Sequence, residues 1–195
     1  METTSEDQKA ILQLVEEGVE ASAAKLAAIS RTDWQIRTTS VRVYAKPEDY
    51  AEFVQPSQDF LGAHCQAPGK MFLTFMSARS AVLLTQSFLS GSRRGLQATA
   101  RMQEVAVAEL SNIVINAVAG SLADRCGMSF VISAPKTVRG SRADIIKAAF
   151  GEFHPIGNIF SAYIHLASNE LAADCTLMLM LDDLIVHCVL NALGR

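Results

Sequence analysis

Apolar residues recur along this chain with two alternating periods, one of helices and one of strands. Ile11, Leu14, Val15, Val19, Leu26 and Ile29 are spaced mostly three and four apart and predict a helix over 6–30. Arg31-Thr32-Asp33 reads as a turn, and 34–44 alternates well enough for a strand, with Ile36, Val41 and Val43 as its β-branched apolar positions. Lys46-Pro47-Glu48-Asp49 opens a short helix or turn, with proline where helix starts tolerate it. A loop containing Pro56, Gly62, Pro68 and Gly69 comes next, then a buried strand over 70–76 and a helix over 78–89 that Ser77 can cap. After SGSRRG, Ser90–Gly95, the same order begins again: a long helix over 98–126, a break at Gly127, a strand over 128–134 and a short helix near 142–149. Strands over 156–166 and 172–181 and a helix over 184–193, opened by Asp182 and Asp183, complete the chain. The repeat predicts an α+β domain over 1–195 made of two similar halves, 1–92 and 93–195, on an antiparallel sheet.

The middle of the 98–126 helix is almost uncharged, so its polar residues stand out. Glu109, Asn112 and Asn116 lie three and four apart and share one helical face. Glu109 and Asn112 are separated by about 60° around the axis and ~4.5 Å along it, so both can act on one small target. From Asn112 to the helix end is ~21 Å, and seven extended residues from Met128 to Pro135 cover ~23 Å. A chain that reverses at Gly127 therefore returns Pro135 to the level of Asn112, where a proline, lacking N–H, ends the strand.

Composition narrows the classes. With 195 residues and half of them hydrophobic, the chain can bury a sizeable core. Its net charge of −3 is scattered, so it offers no electrostatic footprint for nucleic acid. The N-terminus, METTSEDQ, is polar and unlike a signal peptide, and Asp182, Asp183 and His187 interrupt the late apolar runs, so no membrane insertion is expected. Cys65, Cys126, Cys175 and Cys188 form no CxxC pair and read as four buried thiols in a reducing, cytoplasmic setting.

Glu109-x2-Asn112, then 22 residues, then Pro135, within ELSNIVINAVAGSL, resembles the signature of the CheC/CheX/FliY chemotaxis phosphatases, CheC above all. The family pattern often has Asp or Ser four residues before the Glu, where this chain has Val105. The resemblance implies a CheC-like fold and a hydrolase of two-component signalling that removes the aspartyl phosphate of a CheY-like response regulator. It implies that Asn112 orients the attacking water, since an amide both donates and accepts, and that Glu109 docks the regulator's lysine. It implies no cofactor of the chain's own, because Mg²⁺ would belong to the partner receiver domain. A CheD-like receptor deamidase is a second partner the family allows, and a non-catalytic binding module or a flagellar-switch component are the other functions. The sequence runs to Arg195 just after its last helix, so no appended switch-binding domain is expected, which argues against the switch component; the Glu109/Asn112 pair favours the enzyme over the binding module.

The first half keeps the order of elements without the pair. Laid on 109–123, Glu16 meets Glu109 but Val19 falls on Asn112; a shift of one residue puts Glu20 there instead. TTSVRVY has no proline at the equivalent place. Elsewhere the residues read as structure. His64-Cys65 and His187-Cys188 lack metal-ligand spacing, Asp182-Asp183 caps a helix, and Met71, Met76, Met178 and Met180 fill the core. Asn116 is expected on the helix surface and Pro135 in a structural role; the glycines and arginines of SGSRRG suit phosphate binding or a flexible interdomain turn equally well.

Overall fold

The computed structural model describes residues 4–44, 59–89, 98–129 and 131–194; the expected 46–49 helix, Pro56 and SGSRRG, with the 92/93 boundary, lie outside them. Helix α1, Ser5–Ser30, opens on Thr4 in a reciprocal capping box with Asp7. It leads into strand β1, Gln35–Tyr44. Strands β2, Phe60–Ala67, and β3, Lys70–Ser77, form a hairpin, and helix α2, Ala78–Leu89, follows. Ser77 caps α2 as expected, its hydroxyl accepting from Ser80 N–H at 3.1 Å. Helix α3, Ala100–Cys126, opens on Thr99 and closes at Gly127, whose φ of 60° is left-handed. Strand β4, Lys136–Gly140, helix α4, Arg142–Phe150, strands β5, Ile159–Ser168, and β6, Ala173–Asp182, and helix α5, Asp183–Ala192, complete the chain.

The six strands form one antiparallel sheet in the order β1-β5-β6-β3-β2-β4. Exchanging the strands of the two halves, β1 for β4, β2 for β5 and β3 for β6, leaves this order unchanged when read from the other edge. The expected α+β architecture with pseudo-symmetric halves is therefore present in the sheet topology. Strand alternation sorts the side chains into two cores. Phe72, Leu177, Leu179, Ala162 and Ile164 face α1 and α3, whereas Met71, Leu73, Phe75, Met178 and Met180 face α4. The methionines are core fillers, and Asp182 caps α5 by accepting from Ile185 N–H at 2.9 Å.

Two expectations are corrected. The loop expected through Gly62 is interrupted by β2, which lies between β3 and β4. Its Gly, Ala, His and Gln are weak strand formers alone, but almost every residue of it is buried. Gly62 is required there, since a Cβ would come within 2.8 Å of both Thr74 O and Ile145 Cγ2. Pro68-Gly69 is only the tight turn, Gly69 taking a φ of 70°. The strand expected over 128–134 begins instead at Lys136, after the proline. Ser133 N–H donates to Gln66 O at 2.9 Å and Ser133 Oγ accepts from Gln66 N–H at 3.0 Å, but Pro135 has no N–H and ladder pairing starts only at Lys136 opposite His64.

The thiols also differ from expectation. Cys65 and Cys175 are buried, but Cys126 is half-buried and Cys188 is exposed on α5; all four are free. Burial pushes the Cys65 thiol up to about 11 and that of Cys175 to about 12.

His64 is buried in β2, and desolvation lowers its pKa below 6.5; nearby Glu152 opposes this and Lys136 adds to it. Folding therefore favours the neutral ring. This contribution to stability is complete above the unfolded value of 6.5 and is lost as pH falls through the lowered folded value. Thermal unfolding at pH 7.5 and 5.5 should show a smaller decline for His64→Gln than for wild type. Equal declines would remove His64 from the acid response.

Candidate active site

The helix pair α1/α3 lies over the sheet, and α3 is held in place directly beneath Asn112. Ser111 is fully buried; its hydroxyl donates to Val107 O at 2.6 Å and is in very short contact with Thr74 Oγ1. Thr74 Oγ1 lies 3.3 Å from Ala63 O as well, and its one hydrogen serves either that carbonyl or Ser111 Oγ, so the hydroxyl pair links α3 to β3 with β2 as the alternative acceptor. A polar tie in an apolar layer fixes register, because slipping would leave buried hydroxyls unpaired. The neighbours of Asn112 on the inner face, Leu110 and Val114, are fully buried, as is Leu122 further along.

With that inner face fixed, Glu109, Asn112 and Asn116 all face outward and are exposed. They line one cleft of about 390 Å³ together with Ala108 and Ile115. Ile132, Ser133, Ala134 and Pro135 form the opposite wall, and Cys65 reaches it from β2. The length match between helix and returning chain thus brings Pro135 to Asn112 as expected, although the returning segment is an irregular wall.

Asn116 does more than decorate the surface. Its Nδ2 donates to Asn112 O at 2.8 Å and to Asn112 Oδ1 at 2.7 Å. Val105, one turn before Glu109, is exposed at 57% and lines an adjacent, largely apolar groove of about 420 Å³ with Phe88, Met102 and Glu109. Glu109 is thus shared by an apolar groove and a polar cleft. A larger cavity of about 740 Å³ lies beyond 131–133, between Gln66 and Glu152, and includes neither Glu109 nor Asn112. There Lys136 Nζ donates to Glu152 Oε2 at 2.7 Å, which holds the Glu152 carboxyl below the usual range.

The first half is corrected in register. Shifting Ile11, Leu14, Val15, Gly18, Val19, Ser22 and Leu26 by 96 residues, as from Ile11 to Val107, places every one on a buried residue of α3. In the expected register, the fully buried Val19 would fall on exposed Asn112. Burial decides the matter: Gln13 and Glu16 stand where Glu109 and Asn112 stand in the second half. Carboxylate and amide are exchanged, and the position of Asn112 still holds no amide.

The sequence matches no protein-family model and no curated protein. Among solved structures, its fold is similar to that of Thermotoga maritima FliY, with a TM-score of 0.73 at 15% identity over 98% of each chain. It is also similar to the FliM middle domain from H. pylori, with a TM-score of 0.65 at 8% identity over 97% of this chain and 99% of that one. The chemotaxis protein CheX from Desulfovibrio desulfuricans gives 0.54 at 13% identity over 87% of this chain and 99% of that one. The chain therefore has the fold shared by the CheC-like chemotaxis proteins and the FliM middle domain. Among the described residues α3 alone is long and apolar enough to cross a membrane, and half of its apolar window is buried within the fold.

Proposed function

We propose that the chain is a cytoplasmic member of the CheC/CheX/FliY group that hydrolyses the aspartyl phosphate of a CheY-like response regulator. The observation that carries this reading is the exposure of Glu109 and Asn112 on one wall of a cleft closed opposite by Pro135. Fold alone does not choose between enzyme and scaffold, since the FliM middle domain has it too. The pair supports the enzyme, because it offers an amide and a carboxylate to a site another protein brings.

An acyl phosphate is already a good phosphoryl donor, so positioning and charge stabilisation are what a catalyst must add. The oxygen of water bonds to phosphorus, the bond from phosphorus to the aspartyl oxygen breaks, and the carboxylate leaves with the electron pair. A water proton passes to solvent, and inorganic phosphate is released. Asn112 holds the water in line by hydrogen bonding and takes up no proton. Glu109 pairs with the receiver's lysine beside the phosphate and sets the docked register. Any Mg²⁺ in the reaction is held by the receiver. The Cys65 thiol at the cleft stays protonated, burial having raised it to about 11, and plays no part as a nucleophile.

Glu109→Gln separates these roles. It should raise the KM for the phosphorylated receiver by about 3- to 10-fold, the worth of one charge-assisted contact at a partly wet surface. Titration of the receiver loaded with a phosphate mimic should show the same loss of affinity. Unchanged affinity and rate would exclude Glu109 from docking.

A further inference from the structure

The hydrogen bonds of Asn116 fix which end of the Asn112 carboxamide faces outward. The orientation of a carboxamide follows from partners that can only donate or only accept. One such partner is present. The main-chain carbonyl of Asn112 can only accept, and the Asn116 side-chain atom 2.8 Å from it must therefore be the NH₂ group. The same nitrogen lies 2.7 Å from the end of the Asn112 side chain, and its second hydrogen requires an acceptor there. That end is Oδ1. Asn112 Nδ2 is then the end turned away from Asn116, and it carries two hydrogens that no described residue engages.

We propose that Asn116 is a positioning residue that locks Asn112 with its NH₂ outward, so that the amide meets the phosphoryl site as a hydrogen-bond donor. This rests on the phosphatase reading above and refines it: Asn112 donates to the oxygen of the attacking water, leaving that oxygen's remaining lone pair for phosphorus. One lone pair of Oδ1 is already taken, which makes the opposite arrangement, an outward acceptor, the less available one. The spacing of four along an exposed helical face gives the lock its geometry. Both residues being at the surface, the lock serves orientation and contributes little to the core.

The test uses the full chain and a CheY-like receiver domain labelled from radioactive acetyl phosphate. Asn116→Ala should lower kcat by about 3- to 10-fold, the worth of one neutral hydrogen bond, with KM unchanged. Its melting temperature should move by about 2 °C or less, as for other exposed substitutions. Asn116→Asp should cost more in kcat than Asn116→Ala, because a carboxylate there accepts and turns the Asn112 NH₂ inward. Nuclear magnetic resonance of the ¹⁵N-labelled protein reads this directly: the Asn112 side-chain protons should exchange fast in wild type and become protected in Asn116→Asp. An active wild type whose kcat is unaffected by Asn116→Ala, or Asn112 protons already protected in wild type, would overturn the inference alone. A wild type that accelerates no receiver's dephosphorylation would overturn the phosphatase reading and the inference with it.

Discussion

Asn112→Ala should lower the rate of receiver dephosphorylation by about 100-fold, while receiver binding should change by no more than about threefold. The first figure is the usual cost of deleting one preorganised donor from a reacting centre, and the second follows because the contact matters chiefly in the transition state. Stability should change by about 0.5 kcal/mol or less, since Asn112 is exposed and its neighbours Ser111 and Leu110 carry the packing. Asn116 loses one hydrogen-bond acceptor in this variant but keeps the Asn112 carbonyl at 2.8 Å, so the local helix should not rearrange. Rates measured at several receiver concentrations separate kcat from KM. A variant that loses rate and binding together would point to a docking residue.

The largest effect on stability should come from Gly18→Val. An ideal Cβ at Gly18 lies 2.7 Å from Val118 Cα, a main-chain atom that cannot turn aside. The helices α1 and α3 cross closely at this point, and a side chain there must push them apart against the packed sheet beneath. Overpacking of this kind costs about 2 kcal/mol or more, which in a chain of this size lowers the melting temperature by about 4–8 °C. Gly120→Ala is the control. Gly120 also lies within a helix but has nothing within 4 Å of an added Cβ, so alanine should stabilise by up to about 1 kcal/mol. If both variants melt alike, the close crossing does not limit stability.

What could be read from the sequence was what depends on local period and spacing. The helices, the strands around 35–44, 70–77, 159–168 and 173–182, and the meeting of Asn112 with Pro135 all follow from chain periodicity and length. Strand β2 did not, because Phe60–Ala67 owes its state to burial between β3 and β4 rather than to its own residues. The strand expected before Pro135 fails for a related reason: the apolar run of 128–134 looks extended, but ladder pairing with β2 begins only after the proline, at Lys136. The register between the halves needed burial as well. Glu16 matches Glu109 by residue type, yet the buried faces of α1 and α3 align only when Glu16 falls on Asn112. The tie from Ser111 to Thr74 and the lock from Asn116 to Asn112 were also out of reach, since a serine or asparagine in a helix says nothing of its partner.

The exchanged pair in the first half sharpens the functional account. Gln13 and Glu16 occupy the positions of Glu109 and Asn112, and no proline follows in β1, which pairs with β5 over most of its length instead of forming a free wall. Among the described residues, the outward amide Asn112 and the cleft with Pro135 come together in the second half.

The most direct measurement is the time course of acid-labile phosphate on a CheY-like receiver, taken alone, with wild type, and with Asn112→Ala. Loss should be faster with wild type than alone, and should return nearly to the unassisted rate with Asn112→Ala. Equal rates for wild type and Asn112→Ala would contradict the phosphatase reading and leave a protein that binds without hydrolysing.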